Sequence, residues 1–480
     1  MKNQINFLVK NGCAFLVASM LILITACTKE SSESSEKKIL SFQFQSLSPV
    51  VSGVINEDAK TITATVPDEI NKESLVPTIV VSKNATVNPA SGVAQNFSNP
   101  VNYTVTAEDG SSVVYTVTVL GGTTADSPET ISGNITENRV LRNRNNNIDY
   151  IISDWISIEG NALLTIEAGT KIVFANTYAG LYVSESAGLK IAGTAQNPVI
   201  LTGPATNPNK GAWAGVEVGS NRGDNVWEYA IIENAGQDNH AAIHLDIGAQ
   251  LSMQHCRVSG SLGNGIEVGG SLGQFYANQI TACNNYPISA DTPDQISTLD
   301  STSLLTGNGF NFIHISSDWP LETDLTLHKA SVPYFMERGL ATEKVLTIEP
   351  GCELDFGALT ELNIYETGKL IAEGTAAKPI KFTSQLKESG SWNGINIYSE
   401  LANSLKYCIV EYAGAGNNKC LLDISFANVS LINCQFNNSK HYGIVLRNFT
   451  TVTHSGCTFS NCPDGNVYNA DEETTSATLP

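Results

Sequence analysis

The residues whose types and spacing could do chemistry are Glu233, His255, Arg257 and Glu267. A carboxylate beside an imidazole and a guanidinium is an acid–base arrangement, in which the cation sets the charge of the acid. Glu233 and His255 lie 22 positions apart, one coil of the repeat described below, so the two would stack, with Arg257 two residues on and Glu267 on a later strand. A second copy of the same segment keeps the glutamate as Glu411 but has Asn433 in place of His255 and Gln435 in place of Arg257. A carboxylate that recurs without its partners reads as a framework position better than as a catalytic one. The other histidines are scattered, among them His240, His244, His314, His328 and His454. No paired Cys-x-x-Cys is present, so no metal and no cofactor are expected. Trp213 and Trp392 offer another chemistry, because aromatic faces stack on the apolar faces of pyranose rings. They occupy one position in two copies of a repeat, which equally suits a structural indole at a coil corner.

These residues belong to an internal duplication. Leu164-Thr165-Ile166-Glu167-Ala168-Gly169 recurs as Leu346-Thr347-Ile348-Glu349-Pro350-Gly351. Trp213-Ala214-Gly215 recurs as Trp392-Asn393-Gly394, and Tyr229 to Gly236 recurs as Tyr407 to Gly414. Cys256 matches Cys434, and Gly265-Ile266 matches Gly443-Ile444. A shorter period near 22 runs inside each copy: Ile231, Met253, Tyr276; Ile243, Ile266, Ile288; Ile409, Leu431; Leu422, Ile444. Two or three short strands per period, with Gly or Asn between them, describe a coil of a parallel β-helix. Such a coil hides its inward side chains only by stacking on the next, so like residues form ladders.

The blocks Leu-Thr-Ile-Glu-(Pro/Ala)-Gly, Trp-x-Gly and Tyr-x-Ile-x-Glu-x-Ala-Gly, with a Gly-Thr-Ala block at 193–195 and 374–376, resemble the right-handed parallel β-helix domains of Gram-negative surface lipoproteins. That fold is similar to the pectin lyase-like superfamily. The resemblance covers most of residues 131 to 470 and implies a fold rather than an activity. Enzymes of this fold act mostly on polysaccharides. The resemblance implies acidic calcium ligands plus an Arg or Lys base for a lyase. For a hydrolase it implies a set of Asn-x-Asp, Asp-Asp, Gly-His-Gly and Arg-x-Lys blocks, a set this sequence lacks. His441-Tyr442-Gly443 lacks the first glycine and reads as a turn.

Residues 39 to 120 read differently. Ile62 to Val66 and Tyr103 to Ala107 alternate with the period of a half-buried strand. Glu108-Asp109-Gly110-Ser111 supplies a turn, and Val113 to Val119 returns as the partner strand. About seven strands in this span predict a β-sandwich, which resembles the immunoglobulin-like and cadherin-like modules of surface lipoproteins. Residues 121 to 130 read as a linker.

At the N-terminus, Lys2 and Lys10 precede an apolar run from Cys13 to Ala26. The run is too short to span a membrane but suits the core of a secretory signal. It ends Ile24-Thr25-Ala26-Cys27, which resembles the lipobox of bacterial lipoproteins and implies cleavage before Cys27 and lipid attachment on it. Residues 28 to 38 carry little to bury and read as a disordered tether, as do residues 471 to 480 as a tail. The chain has 27 basic and 47 acidic residues, a net charge of −20. That balance excludes nucleic-acid binding. Eight cysteines follow Cys27, and most fall in apolar strand patterns as buried thiols; Cys457 and Cys462 are close enough in sequence to pair.

The expected molecule is all-β. A signal peptide (1–26), a lipidated cysteine and tether (27–38), a sandwich (39–120) and a linker (121–130) precede two β-helix copies (131–305 and 306–470). Its expected partners are the membrane, through the anchor, and a polysaccharide or surface protein. Its expected place is the outer membrane. The leading functional reading is a non-catalytic binding face. The alternatives are a polysaccharide lyase or glycosidase with a non-standard site, and a structural or adhesive rod.

Overall fold

The structure is a computed structural model that describes residues 33–47, 50–67, 70–122 and 128–480. The chain forms two compact units, Met1–Thr124 and Ala125–Pro480. Both are all-β. No helix among the described residues is long and apolar enough to cross a membrane.

The first unit packs a three-stranded sheet against a five-stranded one. Val101–Thr106 and Ser112–Gly122 pair antiparallel around the expected turn, with Tyr103 opposite Tyr115. The second of these also pairs in parallel with Thr61–Pro67. The core is aromatic: Phe42 meets Phe44 and Tyr103 edge to face at 5.5 and 5.6 Å, a preferred geometry for ring pairs. Residues 34 to 38 do not behave as a free tether. The Ser34 N–H donates to Glu108, the Lys37 ammonium to Ser111, and the Lys38 N–H to Ser82. Polar side chains with local backbone partners hold this segment although it has no apolar surface to bury.

The second unit is a right-handed parallel β-helix of about 14 turns. One sheet of 13 strands, from Trp155–Ile158 to Thr458–Ser460, runs through both copies. Its central inward column is a ladder from Ile156 through Leu181, Val216, Ile243, Ile266, Ile288 and Ile313 to Tyr334. It continues through Leu354, Phe382, Val410 and Phe436 to Phe459. The ladder makes burial of each coil depend on its neighbours.

Two of the four short-period series hold as registers: Ile243–Ile266–Ile288 and Leu422–Ile444. The other two do not. Ile231 pairs with Arg257, Met253 with Phe275, and Ile409 with Gln435. Coil length varies because turns of different size are inserted at different corners, so one period cannot set all columns. Left-handed residues mark those corners. Tyr229, His255, Ala277, Tyr407 and Asn433 all have φ between +47° and +55°.

The copies are related by more than translation. In the first copy the long sheet holds the third strand of each coil, such as Gly180–Val183 and Gly215–Val218. In the second it holds the second strand, such as Glu353–Phe356 and Cys408–Glu411. The counterparts of Gly180–Val183 and Gly215–Val218, namely Glu361–Ile364 and Gly394–Ile397, lie instead in a separate seven-stranded sheet. The repeat is thus turned by one sheet around the coil. The change falls in the irregular stretch between Ile288–Ala290 and Tyr334–Met336, where a short 3-10 turn, Pro293–Ile296, replaces a strand. There the Gln295 side chain accepts from the N–H groups of Asp291 and Thr292 and closes the turn.

The end of the chain is not a free tail. Thr474–Ser476 pairs antiparallel with Gly465–Asn469, and Leu479 is buried. This hairpin supplies partners to a strand edge that would otherwise be open. His441 sits in a bend as expected, but Tyr442–Arg447 is a strand.

Candidate functional site

Cys27 lies outside the described residues. Trp213 and Trp392 are both fully buried, so neither indole is open to a sugar. Trp213 stacks on Phe174 at 3.9 Å and Trp392 on Phe356 at 4.4 Å. Each indole N–H donates at 2.8 Å to a backbone carbonyl, that of Glu233 or Glu411.

Glu233 and Arg257 come together at 2.6 Å, and Arg257 also donates to Ser259. His255 does not join them. Glu233 stands opposite Ser259, not opposite His255. His255 occupies the left-handed corner before the strand, exposed, and stacks on Tyr229 at 4.7 Å. In the second copy Glu411 takes its cation from the preceding coil, Lys381 at 3.1 Å, and accepts from Thr383 at 3.0 Å. The two glutamates therefore keep an indole donor at the backbone carbonyl and change their ion-pair partner, as suits a framework position.

Glu267 has a different setting. It lies on the outward face of the long sheet between His244 and Ser289. Three contiguous clefts run along that face, from Trp155 in the first copy to Trp319 just beyond its end. The first is a cleft of about 510 Å³, within the range usual for ligand sites. Its lip carries Tyr178, 72% exposed, and Trp155, 40% exposed. Glycine makes room for the indole: a Cβ on Gly180 would come within 2.3 Å of Trp155 Cζ3. Gly215, paired with Gly180, has φ +124°, and a Cβ there would meet the Ala242 carbonyl at 2.7 Å. The Trp-x-Gly block thus sends its tryptophan into the core and places its glycine under the cleft.

The floor is acidic. Glu217, His244 and Glu267 stand in one outward column. Burial raises the Glu217 carboxyl above its ordinary pKa, and the neighbouring Asp246 carboxylate raises it further. His244 Nε2 lies 3.4 Å from Asp246. Among the described residues, none that lines the three clefts is Lys or Arg. Farther along, His314 links Ser289 at 2.9 Å to Glu337 at 3.0 Å and stacks on Tyr286 at 4.4 Å. Sequence reasoning missed Tyr178 and Glu217, and gave no ground for choosing Trp155 over Trp227 or Trp319. The Trp-x-Gly block was the available signal, since a repeated glycine beside a buried indole marks a place where backbone is laid bare.

A second titratable cluster lies on the same sheet in the second copy. Asp355 is 2% exposed, 3.4 Å from the Lys387 ammonium, and its Oδ2 is buried without a hydrogen bond. Burial raises its pKa to about 6. In the β-helix unit Asn-x-Asp triplets do occur, at Asn147–Asp149 and Asn469–Asp471, but neither aspartate is free. Asp149 is buried and accepts from the Arg144 and Lys171 N–H groups; Asp471 accepts from the Asn448 N–H. Among the described residues no group of three or more His, Cys, Asp or Glu is placed to hold a metal ion.

All eight cysteines after Cys27 are free thiols, so Cys457 and Cys462 are not paired. Cys457 lies under the Leu431 carbonyl and Cys462 under that of Phe436, at opposite ends of the strand Thr458–Ser460.

Residues 39–119 match the family model described as "SGBP, N-terminal". Residues 133–226 match one described as a pectate-lyase-like beta helix domain. A solved structure from Bacteroides thetaiotaomicron, described as a "putative glycoside hydrolase", is 33% identical over 19% of this chain and 27% of its own, with a TM-score of 0.17. No curated protein matches. The chain joins an N-terminal domain similar to that of SGBP proteins to a β-helix similar to the pectate-lyase-like type.

Proposed function

We propose that this protein is a surface glycan-binding lipoprotein, held to the outer membrane through Cys27, whose first-copy cleft grips a glycan without cleaving it. The observation that carries the reading is the exposed pair Trp155 and Tyr178 at the mouth of a glycine-floored cleft. It sits in a chain whose residues 39–119 are similar to an SGBP, surface glycan-binding, domain. Aromatic rings cover apolar sugar faces, and the carboxylates of Glu217, Asp246 and Glu267 accept hydrogen bonds from hydroxyls. A cleft lined by carboxylates and without Lys or Arg repels polyanions. The ligand class is therefore a hydroxyl-rich glycan without negative charge, and pectate is disfavoured.

The test is a glycan array on residues 28–480 and on Trp155→Ala, with product analysis on every hit. The expected result is binding that Trp155→Ala abolishes and no shortening of the glycan. Equal binding by the variant would sink the site. The second reading, polysaccharide cleavage, is favoured by one feature: Glu217 is raised in pKa beside Asp246, as an acid beside a base would be. New reducing ends or unsaturated products, lost on Glu217→Gln, would establish it. Anchoring is tested separately: Cys27→Ser should lose lipid labelling, and protease added to whole cells should remove the wild-type protein.

A further inference from the structure

The second copy builds a groove from the same elements as the first. Gly394, the counterpart of Gly215, has φ +120°, and a Cβ there would meet the Cys420 carbonyl at 2.6 Å. The turn after the Ala-Gly of the long repeat block lines the groove through Gly416, Asn417 and Asn418, as Gln237, Asp238, His240 and Ala241 line the first. Two adjoining clefts of about 430 and 710 Å³ share Tyr398. We propose that this groove is a second glycan-binding site, for a sugar chain without negative charge, opening on a different side of the β-helix from the first. The proposal rests on the reading of the protein as a glycan binder and extends it to a second site.

The chemistry differs where the position is the same. Tyr182, Glu217 and His244 of the first copy correspond to Asn363, Asn396 and Asp423. Asn418 donates to Asn396, and Asn396 donates to Asn363, each at 2.9 Å. Each carboxamide has two N–H donors and an oxygen with two lone pairs, so Asn396 keeps an N–H and a lone pair to spare. A surface that both donates and accepts matches sugar hydroxyls, which do the same. The carboxylates nearest Asn396 are engaged, whereas Glu366 and Glu400 stand exposed in the cleft beside Tyr398. Asp423 is 1% exposed and held by Arg447 at 2.8 Å. Glu361 accepts from Asn363 and from Asn393. Tyr365 and Tyr398 lie nearly parallel at 6.3 Å, an aromatic wall of the kind a pyranose face covers.

Placement follows from the one-sheet turn between copies. The first groove lies on the long sheet, whereas the second lies on the neighbouring sheet that runs from Leu340–Thr342 to Thr474–Ser476. One molecule can then hold two sugar chains, or two stretches of one.

The test is titration calorimetry on the full mature chain. The neutral probes are cellohexaose, xylohexaose and mannohexaose; the cationic probe is a glucosamine hexamer. Variants are Trp155→Ala for the first groove, and Asn396→Ala and the milder turn variant Asn418→Ala for the second, each checked for unchanged thermal unfolding. A neutral hexaose should bind at two sites. Asn396→Ala and Asn418→Ala should weaken one of them about tenfold and leave the other. The glucosamine hexamer should bind both grooves, since carboxylates line each, and Trp155→Ala and Asn418→Ala should each weaken one of its two sites. Two outcomes overturn the second site alone: one site in the wild type, or neutral binding in Trp155→Ala that Asn396→Ala and Asn418→Ala leave untouched. Binding of none of the probes by the wild type overturns both sites and the glycan reading with them.

Discussion

Trp213 and Glu233 are tied by an indole N–H donated to the Glu233 carbonyl at 2.8 Å. The same tie joins Trp392 to Glu411 in the second copy. The two ties lie under different sheets, since Ala230–Glu233 belongs to a seven-stranded sheet and Cys408–Glu411 to the long one. The recurring Trp and Glu of the repeat are therefore one structural strut used twice, once at each rotational setting of the coil.

That strut predicts the effect of removing the ring. Trp213→Ala or Trp392→Ala empties a site that is fully buried and stacked on Phe174 or Phe356. Loss of a buried aromatic costs about 3–5 kcal/mol. Denaturant unfolding should show that loss for both variants. Glycan affinity per folded molecule should stay unchanged, and a selective loss of binding would contradict the burial argument.

Ile266 and Ile444 are equivalent positions, both fully buried, each in an inward ladder. Aspartate at either place would bury an unpaired carboxylate at a cost of several kcal/mol. Because coil stability is shared with neighbours, adjacent coils should become protease-sensitive while the sandwich, a separate unit, survives. His255→Ala should change little. His255 is exposed, and its positive φ is already tolerated by alanine at Ala277 in the next coil. Fragment mapping after limited proteolysis distinguishes the three; survival of the sandwich together with intact coils in both isoleucine variants would refute the ladder.

Much of this architecture was legible in the sequence for a physical reason. Ladders force like residues to recur, so Ile266 and Ile444 announce their burial by spacing alone. Trp213 and Trp392 were legible as a repeated pair, and burial decides between the two readings of that pair. The site was far less legible. Whether Trp155 is exposed depends on Gly180 in the next coil, which offers no side chain to cover it. The one-sheet turn between copies arises from an irregular stretch around Pro293–Ile296, which carries no periodic signal. The pairing of Glu233 with Arg257 rather than His255 depends on a left-handed corner at His255, and histidine there does not declare its φ.

The thiols give a chemical prediction. Cys256, Cys352 and Cys434 are buried, and their pKa values are pushed up to about 12. For Cys256 and Cys352 the chief cause is burial. For Cys434 it is the hydrogen bond with Cys408, its neighbour in the stack. Only the thiolate reacts, so these groups should resist alkylation in the folded protein. Cys457 and Cys462 are the two partly exposed thiols and should react first, though slowly, since their pKa values are raised as well. Intact mass after alkylation, with and without denaturant, should count at most two modified residues when folded and eight when unfolded, leaving Cys27 aside. A Cys457–Cys462 disulfide would instead leave six.

Asp355 predicts how stability changes with pH. Its folded pKa is about 6, raised by burial above the ordinary 3.8, and its Oδ2 has no hydrogen bond. A carboxyl with a raised folded pKa favours the fold while it is protonated and costs stability once it ionises. The contribution is therefore fully present below the unfolded value. It is lost as pH rises from about 4 through about 6, and the loss is on the order of 3 kcal/mol. Lys387, at 3.4 Å, already opposes that rise, and without it the shift would be larger. Asparagine cannot ionise, so Asp355→Asn should lack this step while every other titrating group stays in place. The informative quantity is the difference in unfolding free energy between Asp355→Asn and wild type across pH 4 to 7.5. It should move in favour of the variant as pH rises and level off above about pH 7. A difference that stays flat would mean that Asp355 titrates near its ordinary value, and that water reaches the Oδ2 which the fold otherwise leaves without a partner.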